Sequence, residues 1–340
     1  HTAAHDTVSL STSFGYWLLV IQTMLSRFAV PSFLIISGFL VSYKESERRE
    51  KLKNNLIRRM HRIAWPYIIW SSLYFFIPLL MGVQFSRNPA VIFFEKLITG
   101  SVVLHLYFLV LILQMYGLSY YGFMKNGHAG KIVFFAAVAA FIAFVIPSYL
   151  LAIDATALTE TKVGYYFKVF ERSFFPRWLL FFMFGRWVGA NWSAIKNFSV
   201  EKRKLLLLAL CLSFVLCWLD FFSLRFWSGN QHLLPPDWMV SCVLFGSFFS
   251  IWFLTLRVHP NLMLEGLAKL GGVSFGVYLL HEPFLSLLMA SDFWKSYIGV
   301  LSSACIRQSV AILAGLSASI FIFSVLQYSL PTRVKRYVLG

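Results

Sequence analysis

A polar segment, SFGVYLLHEP at residues 274–283, interrupts a stretch of sequence that is otherwise apolar. On a helix, Ser274, Tyr278 and His281 share one face because they are spaced by four and three residues. Glu282 lies about 100° further around the axis. Ionisable side chains in apolar surroundings are candidates for function. The alternatives are a structural hydrogen bond between helices or, for Glu282, pairing with an arginine of another helix.

Three arginines precede a second apolar stretch in the segment NNLIRRMHRIAWPYIIW, residues 54–70. On a helix, Arg59 and Arg62 are three residues apart and Arg58 and Arg62 are four apart, so the three side chains are neighbours. Guanidinium groups grouped in this way suit phosphates, which they bind through paired hydrogen bonds. The alternative is an ordinary membrane anchor that contacts lipid headgroups.

Other polar and aromatic side chains lie in or beside apolar stretches. Arg27 and Ser37 belong to SRFAVPSFLIISGFLVSY, where small residues allow close approach of another helix or of a ligand. In HLYFL, we expect His105 at the surface and Tyr107 in the aromatic belt at the membrane interface. Arg186, in FFMFGRWVGA, is expected to extend its side chain to the cytoplasmic interface. Arg27, Ser37 and Tyr278 are polar groups within or at the ends of these apolar stretches.

Membrane-spanning helices must position these side chains. The chain has 340 residues, is 59% hydrophobic and 13% charged, and groups its charges between apolar runs of membrane-spanning length. Because backbone polar groups in lipid must be satisfied internally, such runs predict helices, and we expect one all-α transmembrane bundle. Nine spans are predicted, at residues 26–43, 63–83, 103–123, 131–151, 174–192, 204–222, 238–256, 272–290 and 307–329. With these bounds, His281 lies about half-way through the bilayer.

Lysines and arginines collect in alternate connections, which sets the predicted orientation. The richest connection, residues 44–62, is expected in the cytoplasm, and alternation places the other basic connections there too. The net charge of +16 then reflects topology and anionic lipids, and no nucleic-acid partner is expected. The spacing of the cysteines along the chain is not that of metal ligands. We therefore expect the cysteines to be packing residues, and we expect no bound metal. They are Cys211, Cys217, Cys242 and Cys305.

The chain begins HTAAHD, without Met, and nine spans place this end on the outer side of the membrane. We therefore expect one more helix before residue 1. No composition shift marks a boundary, so residues 1–340 are expected to form a single integral-membrane domain.

Six short segments occur in a characteristic order: HTAAHD, RFAVPSFLIISGFLV, RRMHRIAWP, HLYFL, FGRWVG and SFGVYLLHEP. Together they resemble the membrane-bound acyltransferase type 3 family, bacterial integral-membrane O-acyltransferases of surface polysaccharides. The resemblance covers essentially the whole chain. It implies ten spans, of which the first, with its arginine, would precede residue 1.

The resemblance also implies roles for individual residues. His1 matches the family's functional histidine and is the leading general base, because a neutral imidazole can take the proton of an acceptor hydroxyl. His5 is the second candidate, and a covalent acyl-histidine is an alternative route. Arg59 and Arg62 match an Arg-x-x-Arg pair that would recognise the phosphates of acyl-CoA. His281 is expected to orient catalytic groups or substrate.

The expected reaction moves an acyl group, with acetyl as the expected group, from cytoplasmic acetyl-CoA to a hydroxyl of a cell-envelope glycan or lipid-linked sugar. Acetyl-CoA is a co-substrate, and no permanently bound cofactor is expected. The expected location is the bacterial inner membrane, with membrane lipids as further partners. The chief alternative is a transporter that exports a polysaccharide or lipid-linked sugar, since polar residues at membrane depth also suit transport. A third reading is an inactive relative that acts as a scaffold.

Overall fold

The computed structural model describes residues 14–45, 49–121, 128–153, 175–230, 233–236, 239–256, 262–292, 296 and 304–339. Over these residues the chain is helical and contains no strand, which confirms the all-α prediction. A 3₁₀ turn, Leu104–Leu106, precedes α5. The α-helices are α1 (Phe14–Ser26), α2 (Ala29–Glu45), α3 (Arg49–Leu80), α4 (Pro89–Thr99), α5 (Tyr107–Tyr120), α6 (His128–Ile153), α7 (Phe175–Ala190), α8 (Trp192–Glu201), α9 (Arg203–Ser228), α10 (Val240–Leu254), α11 (Leu262–Ala290), α12 (Ala304–Ser329) and α13 (Thr332–Val338).

Six helical segments in the described part of the chain are long and apolar enough to cross a membrane. They are Tyr16–Tyr43, Lys53–Leu80, Gly130–Ile153, Arg203–Ser228, Glu265–Met289 and Ser309–Ser329. The shorter apolar helices α5 and α10 also coincide with predicted spans. A helix is therefore found at each predicted position, α7 included, while the number of nine spans stays a prediction.

Three predicted span starts, at residues 26, 63 and 272, lie seven to ten residues after the starts of the candidate spans at Tyr16, Lys53 and Glu265. The first candidate span begins at Tyr16 rather than at residue 26, because α1 is itself apolar. α11 begins at Leu262 rather than at residue 272. At 1.5 Å per residue, His281 is about 24 Å from the Glu265 end of its candidate span and about 12 Å from the other end. Its expected position half-way through the bilayer therefore shifts toward the C-terminal end of the helix.

One compact unit, here the α11 unit, contains α4, α11, α12, α13, the 3₁₀ turn before α5 and the part of α3 from Arg58 onward. α11 and α12 pack along each other. A Cβ atom at Gly276 of α11 would lie 1.8 Å from the ring of Phe323 on α12, so only glycine fits at this contact. Tyr67, Leu106 and Leu279 are part of its buried core.

A second compact unit, here the α2–α7 unit, contains α2, α6, α7, α8, α9 and α10 and most of α5. Its closest helix pair is α2 with α7. A Cβ at Gly38 would lie 2.2 Å from the carbonyl oxygen of Phe182, and a Cβ at Gly185 would lie 1.9 Å from that of Ile35. The small residues predicted to allow close approach in α2 therefore bring the backbones of two helices into contact, as in many membrane bundles.

Candidate active site

Two histidines that are far apart in the sequence meet in the α11 unit. The ring centroids of His105, in the 3₁₀ turn, and His281, in α11, are 4.7 Å apart with the planes tilted by 57°. Glu282 completes the group, and the ring nitrogens and carboxylate oxygen that these side chains offer all lie within 4.8 Å of one another. We call these three residues the histidine cluster.

A proline fixes the helix that carries two of these side chains. Pro283 lies inside α11, and its missing N–H leaves the carbonyl oxygen of Leu279 without its usual helical partner. The hydroxyl of Tyr74, on α3, donates a hydrogen bond to that oxygen. Pro283 thus interrupts the backbone hydrogen bonding of α11 next to His281 and Glu282. The Tyr74 hydroxyl of α3 replaces the missing donor.

Tyr278 connects α11 to the 3₁₀ turn. Its hydroxyl donates a hydrogen bond to the backbone carbonyl oxygen of His105. Its ring also meets the His105 ring edge-on, with centroids 5.1 Å apart and an interplanar angle of 82°. The turn is further held by Gly100, which has a φ of 71° and approaches Tyr107 so closely that a Cβ would lie 2.5 Å from its Cα. Tyr107 is half-buried at the start of α5.

The hydrogen bond of His281 defines its tautomer. Its Nδ1 lies 2.8 Å from the carbonyl oxygen of Tyr278. Because a carbonyl oxygen can only accept, Nδ1 is the atom that carries the proton. In the neutral ring the lone pair is then on Nε2, which can accept a proton, bind a substrate hydroxyl or ligate a metal.

The rest of the histidine cluster is buried without hydrogen-bond partners. Over the described residues, the two ring nitrogens of His105 have no hydrogen-bond partner, and the same holds for the Oε2 atom of Glu282. A buried polar atom without a partner costs about 1–3 kcal/mol of stability. The arrangement is therefore suited to receive a polar group, a proton or a cation rather than to stabilise the fold.

The structure corrects the predicted position of His105. The sequence favoured a histidine at the membrane surface, but His105 is only 9% exposed and its ring packs against Tyr278 and His281 of α11. No local pattern in HLYFL identifies this, because the partner residues are more than 170 positions away. The apolar residues on either side of His105 were the available signal for burial.

The three arginines lie on α3, which is one continuous helix through the expected amphipathic approach and the span. Arg58 and Arg62 are exposed, and Arg59 is half-buried. Arg59 shares a face with Tyr74, near the histidine cluster, and lies about 22 Å from it along the axis at 1.5 Å per residue. Within the described ranges, no ion pair joins any of the three arginines to a carboxylate.

Three predicted supporting residues belong to the α2–α7 unit. Arg27 donates a hydrogen bond from Nε to the carbonyl oxygen of Pro235 at 2.6 Å, and Ser37 is 5% exposed. Arg186 is 3% exposed, because α7 runs against α2 so closely that its backbone nitrogen would lie 3.0 Å from a Cβ at Gly38. The expectation that Arg186 extends to the membrane interface is therefore wrong.

His1 and His5, the candidates for the general base, lie outside the described residues. The structure thus places His281, Tyr278 and Glu282 together, adds His105 to them, and positions Arg59 on the helix that also carries Tyr74. The assignment of His1 stays a prediction.

A comparison with protein-family models gives one result that decides the class of protein. A model described as an acyltransferase domain matches residues 1–328. The chain belongs to the acyltransferase 3 family. No curated protein and no solved structure matches the chain significantly. The resemblance based on six short segments is therefore confirmed.

Membership of the acyltransferase 3 family gives the histidine cluster a chemical context. The protein is an acyltransferase, and its long apolar helices make it a multi-pass membrane protein. Acyl transfer needs a group that takes the acceptor's proton and donors or cations that stabilise the developing oxyanion. The Nε2 atom of His281 and the polar side chains beside it are groups of a kind that can take up a proton or a cation.

Proposed function

We propose that this acyltransferase moves an acetyl group from cytoplasmic acetyl-CoA to a hydroxyl of a cell-envelope glycan or lipid-linked sugar in the bacterial inner membrane. The observation that carries acyl transfer is the match of residues 1–328 to the acyltransferase domain. The donor, the acceptor and the compartment are proposals, supported by the charge pattern and by the position of the arginines.

Arg58, Arg59 and Arg62 form the proposed donor site. They lie near the N-terminal end of the candidate span Lys53–Leu80, next to the most basic connection of the chain. Basic connections are typical of the cytoplasmic side, where CoA is present. Guanidinium groups bind phosphate oxygens through paired hydrogen bonds, so this trio would hold the phosphates of the donor. The thiol-bearing arm would then extend along α3 toward Tyr74.

The proposed reaction is a direct transfer. The acceptor oxygen attacks the carbonyl carbon of the thioester while His1 takes the hydroxyl proton. The carbon–sulfur bond then breaks, the acyl group stays on the acceptor oxygen, and the CoA sulfur leaves and takes up a proton. In this scheme His281 orients the reacting groups through Nε2.

The proposal includes a transfer across the membrane. The collection of lysines and arginines in alternate connections would place the arginines on the cytoplasmic side. On α11, His281 lies nearer the C-terminal end of its candidate span, about 12 Å from Met289 along the helix axis. The acyl group would then reach an acceptor on the outer side while CoA stays in the cytoplasm.

The test uses membranes that contain the full-length protein encoded by the natural gene. With acetyl-CoA labelled in the acetyl group, we expect label in an envelope glycan and release of free CoA in equal amounts. Membranes without the gene provide the control. Export of unmodified glycan without CoA release would support the transporter instead and would overturn the proposal.

A further inference from the structure

Three side chains that can ligate a metal converge in the histidine cluster, and two of them carry buried atoms without partners in the described chain. We infer that His105, His281 and Glu282 bind one divalent transition-metal ion, and that zinc suits these atoms best. This binding rests on ligand geometry and does not depend on the donor or acceptor proposed above.

The surroundings of His281 are those of a metal-binding histidine. Such histidines nearly always donate their second ring N–H to a carbonyl or carboxylate, which fixes the ring and the tautomer. His281 makes this bond from Nδ1 to the carbonyl oxygen of Tyr278, at 2.8 Å, and keeps the lone pair of Nε2 for a ligand. The hydroxyl of Tyr278 binds the carbonyl oxygen of His105. One residue therefore orients both histidines.

His105 contributes a ring that its own surroundings leave unsatisfied. It is 9% exposed, and neither of its nitrogens has a hydrogen-bond partner among the described residues. A bond from one of these nitrogens to a metal would replace a missing hydrogen bond. The tilt of 57° between the His105 and His281 rings excludes parallel stacking as the reason for their proximity.

Glu282 contributes the negative charge. No arginine or lysine forms an ion pair with it in the part of the chain that is described. Its Oε2 atom is buried and lacks a hydrogen bond. A carboxylate oxygen that is buried without a partner is costly, so a dication held by this oxygen and the two imidazoles would compensate it.

The ligand set favours zinc with one open position. Zinc holds nitrogen and oxygen ligands at about 2.0–2.2 Å in tetrahedral geometry, so two ligand atoms on one ion are about 3.3–3.6 Å apart. The ligand atoms of the cluster lie within 4.8 Å of one another, so binding of the ion would draw them closer together by side-chain rotation. Two histidines and a glutamate form a three-ligand set of the kind that catalytic zinc sites use, whereas structural sites take four ligands. The open position would accept an oxygen atom, such as that of water or a carbonyl group.

The metal would have a use in acyl transfer, and this part of the inference rests on the proposed function. A bound zinc ion polarises a carbonyl oxygen that occupies its open position. The metal in the histidine cluster would then withdraw electrons from the acyl carbonyl group, while His1 would remove the proton of the acceptor hydroxyl.

The test measures metal content in the full-length protein, purified with a tag that contains no histidines. After chelation and re-equilibration with Zn²⁺, we expect about one ion per chain by mass spectrometry of the metal. His105→Asn and Glu282→Gln should each raise the dissociation constant by at least about 100-fold, since loss of a ligand exceeds the effect of losing an outer hydrogen bond. The matched control is His61→Asn, which alters an exposed histidine on α3 and should retain the ion.

A second variant covers the case in which His105→Asn does not fold. His105→Cys keeps a metal ligand, so it should bind Co²⁺ and show the near-ultraviolet band of a cobalt–thiolate bond, which His61→Cys should lack. Wild-type protein without metal above background would overturn the inference, as would equal Zn²⁺ content in wild type and His105→Asn. A proton shared between imidazole and carboxylate would then explain the cluster. Acetyl transfer that survives complete chelation would leave the proposed function standing.

Discussion

The hydroxyl of Tyr74 donates a hydrogen bond to the carbonyl oxygen of Leu279, which Pro283 deprives of its helical partner. This contact joins α3, the helix with the three arginines, to the part of α11 that carries His281. It stabilises α11 at the interruption that Pro283 causes in its hydrogen bonding, next to the candidate site.

We predict that Tyr74→Phe destabilises the protein by about 1–3 kcal/mol, because the Leu279 oxygen is left without a donor. Thermal unfolding in detergent would measure the change. Tyr121→Phe, at a residue that is 76% exposed, is the control and should have little effect. In a Pro283→Ala background, α11 can supply its own N–H, so the cost of Tyr74→Phe should become smaller. An unchanged cost in that background would contradict the role of the hydroxyl.

A second prediction concerns the contact between α2 and α7. Gly185→Ala places a Cβ where the Ile35 carbonyl oxygen would be 1.9 Å away, so the helices must separate. We expect a loss of about 1–3 kcal/mol, the usual range for overpacking. Gly117→Ala is the matched control, since nothing lies within 4 Å of its added Cβ. Similar unfolding temperatures for the two variants would contradict the close packing of these helices.

The network around Asp220 gives a third prediction. Its carboxylate accepts hydrogen bonds from the hydroxyl of Tyr149, at 2.7 Å from each oxygen, and from the hydroxyl of Ser241 at 2.8 Å. We interpret this satisfied network in the α2–α7 unit as structural. Asp220→Ala should therefore lower the unfolding temperature, since two hydroxyls lose their acceptor. A variant that keeps the wild-type unfolding temperature but loses acyl transfer would indicate a functional role instead.

The donor site gives a fourth prediction. Arg62→Ala should raise the apparent KM for acyl-CoA by about tenfold or more, because a hydrogen bond to a charged group contributes about 1.5–3 kcal/mol. The KM for the acceptor should change less, and His61→Ala, the neighbouring exposed residue, should leave both constants unchanged. Equal binding of labelled CoA by wild type and Arg62→Ala would exclude Arg62 from the donor site.

The sequence predicted helix positions well because apolar runs between charged clusters depend only on local composition. It located α11 but not its start, since residues 262–271 mix polar and apolar side chains. It also missed the apolar helix α1, which extends the first span to Tyr16. Ends of helices depend on packing, and packing partners are distant in the sequence.

The candidate site was predicted in part. The ionisable pair His281 and Glu282 stood out in an apolar stretch, whereas His105 was assigned to the surface. Its burial results from the hydrogen bond of Tyr278 to its backbone and from the contact with His281, which join segments that no sequence pattern relates. Arg186 was misplaced for a similar reason, because the contact of α2 with α7 determines its burial.

The most direct test of the account is the initial rate of acetyl transfer from labelled acetyl-CoA by the full-length protein in its membrane, compared for wild type, His281→Ala and His61→Ala. With equal amounts of folded protein, we predict that His281→Ala loses about 100-fold or more of the rate, because the reacting groups lose the side chain that orients them, while His61→Ala keeps it. A wild-type rate for His281→Ala would contradict the assignment of the histidine cluster to the active site.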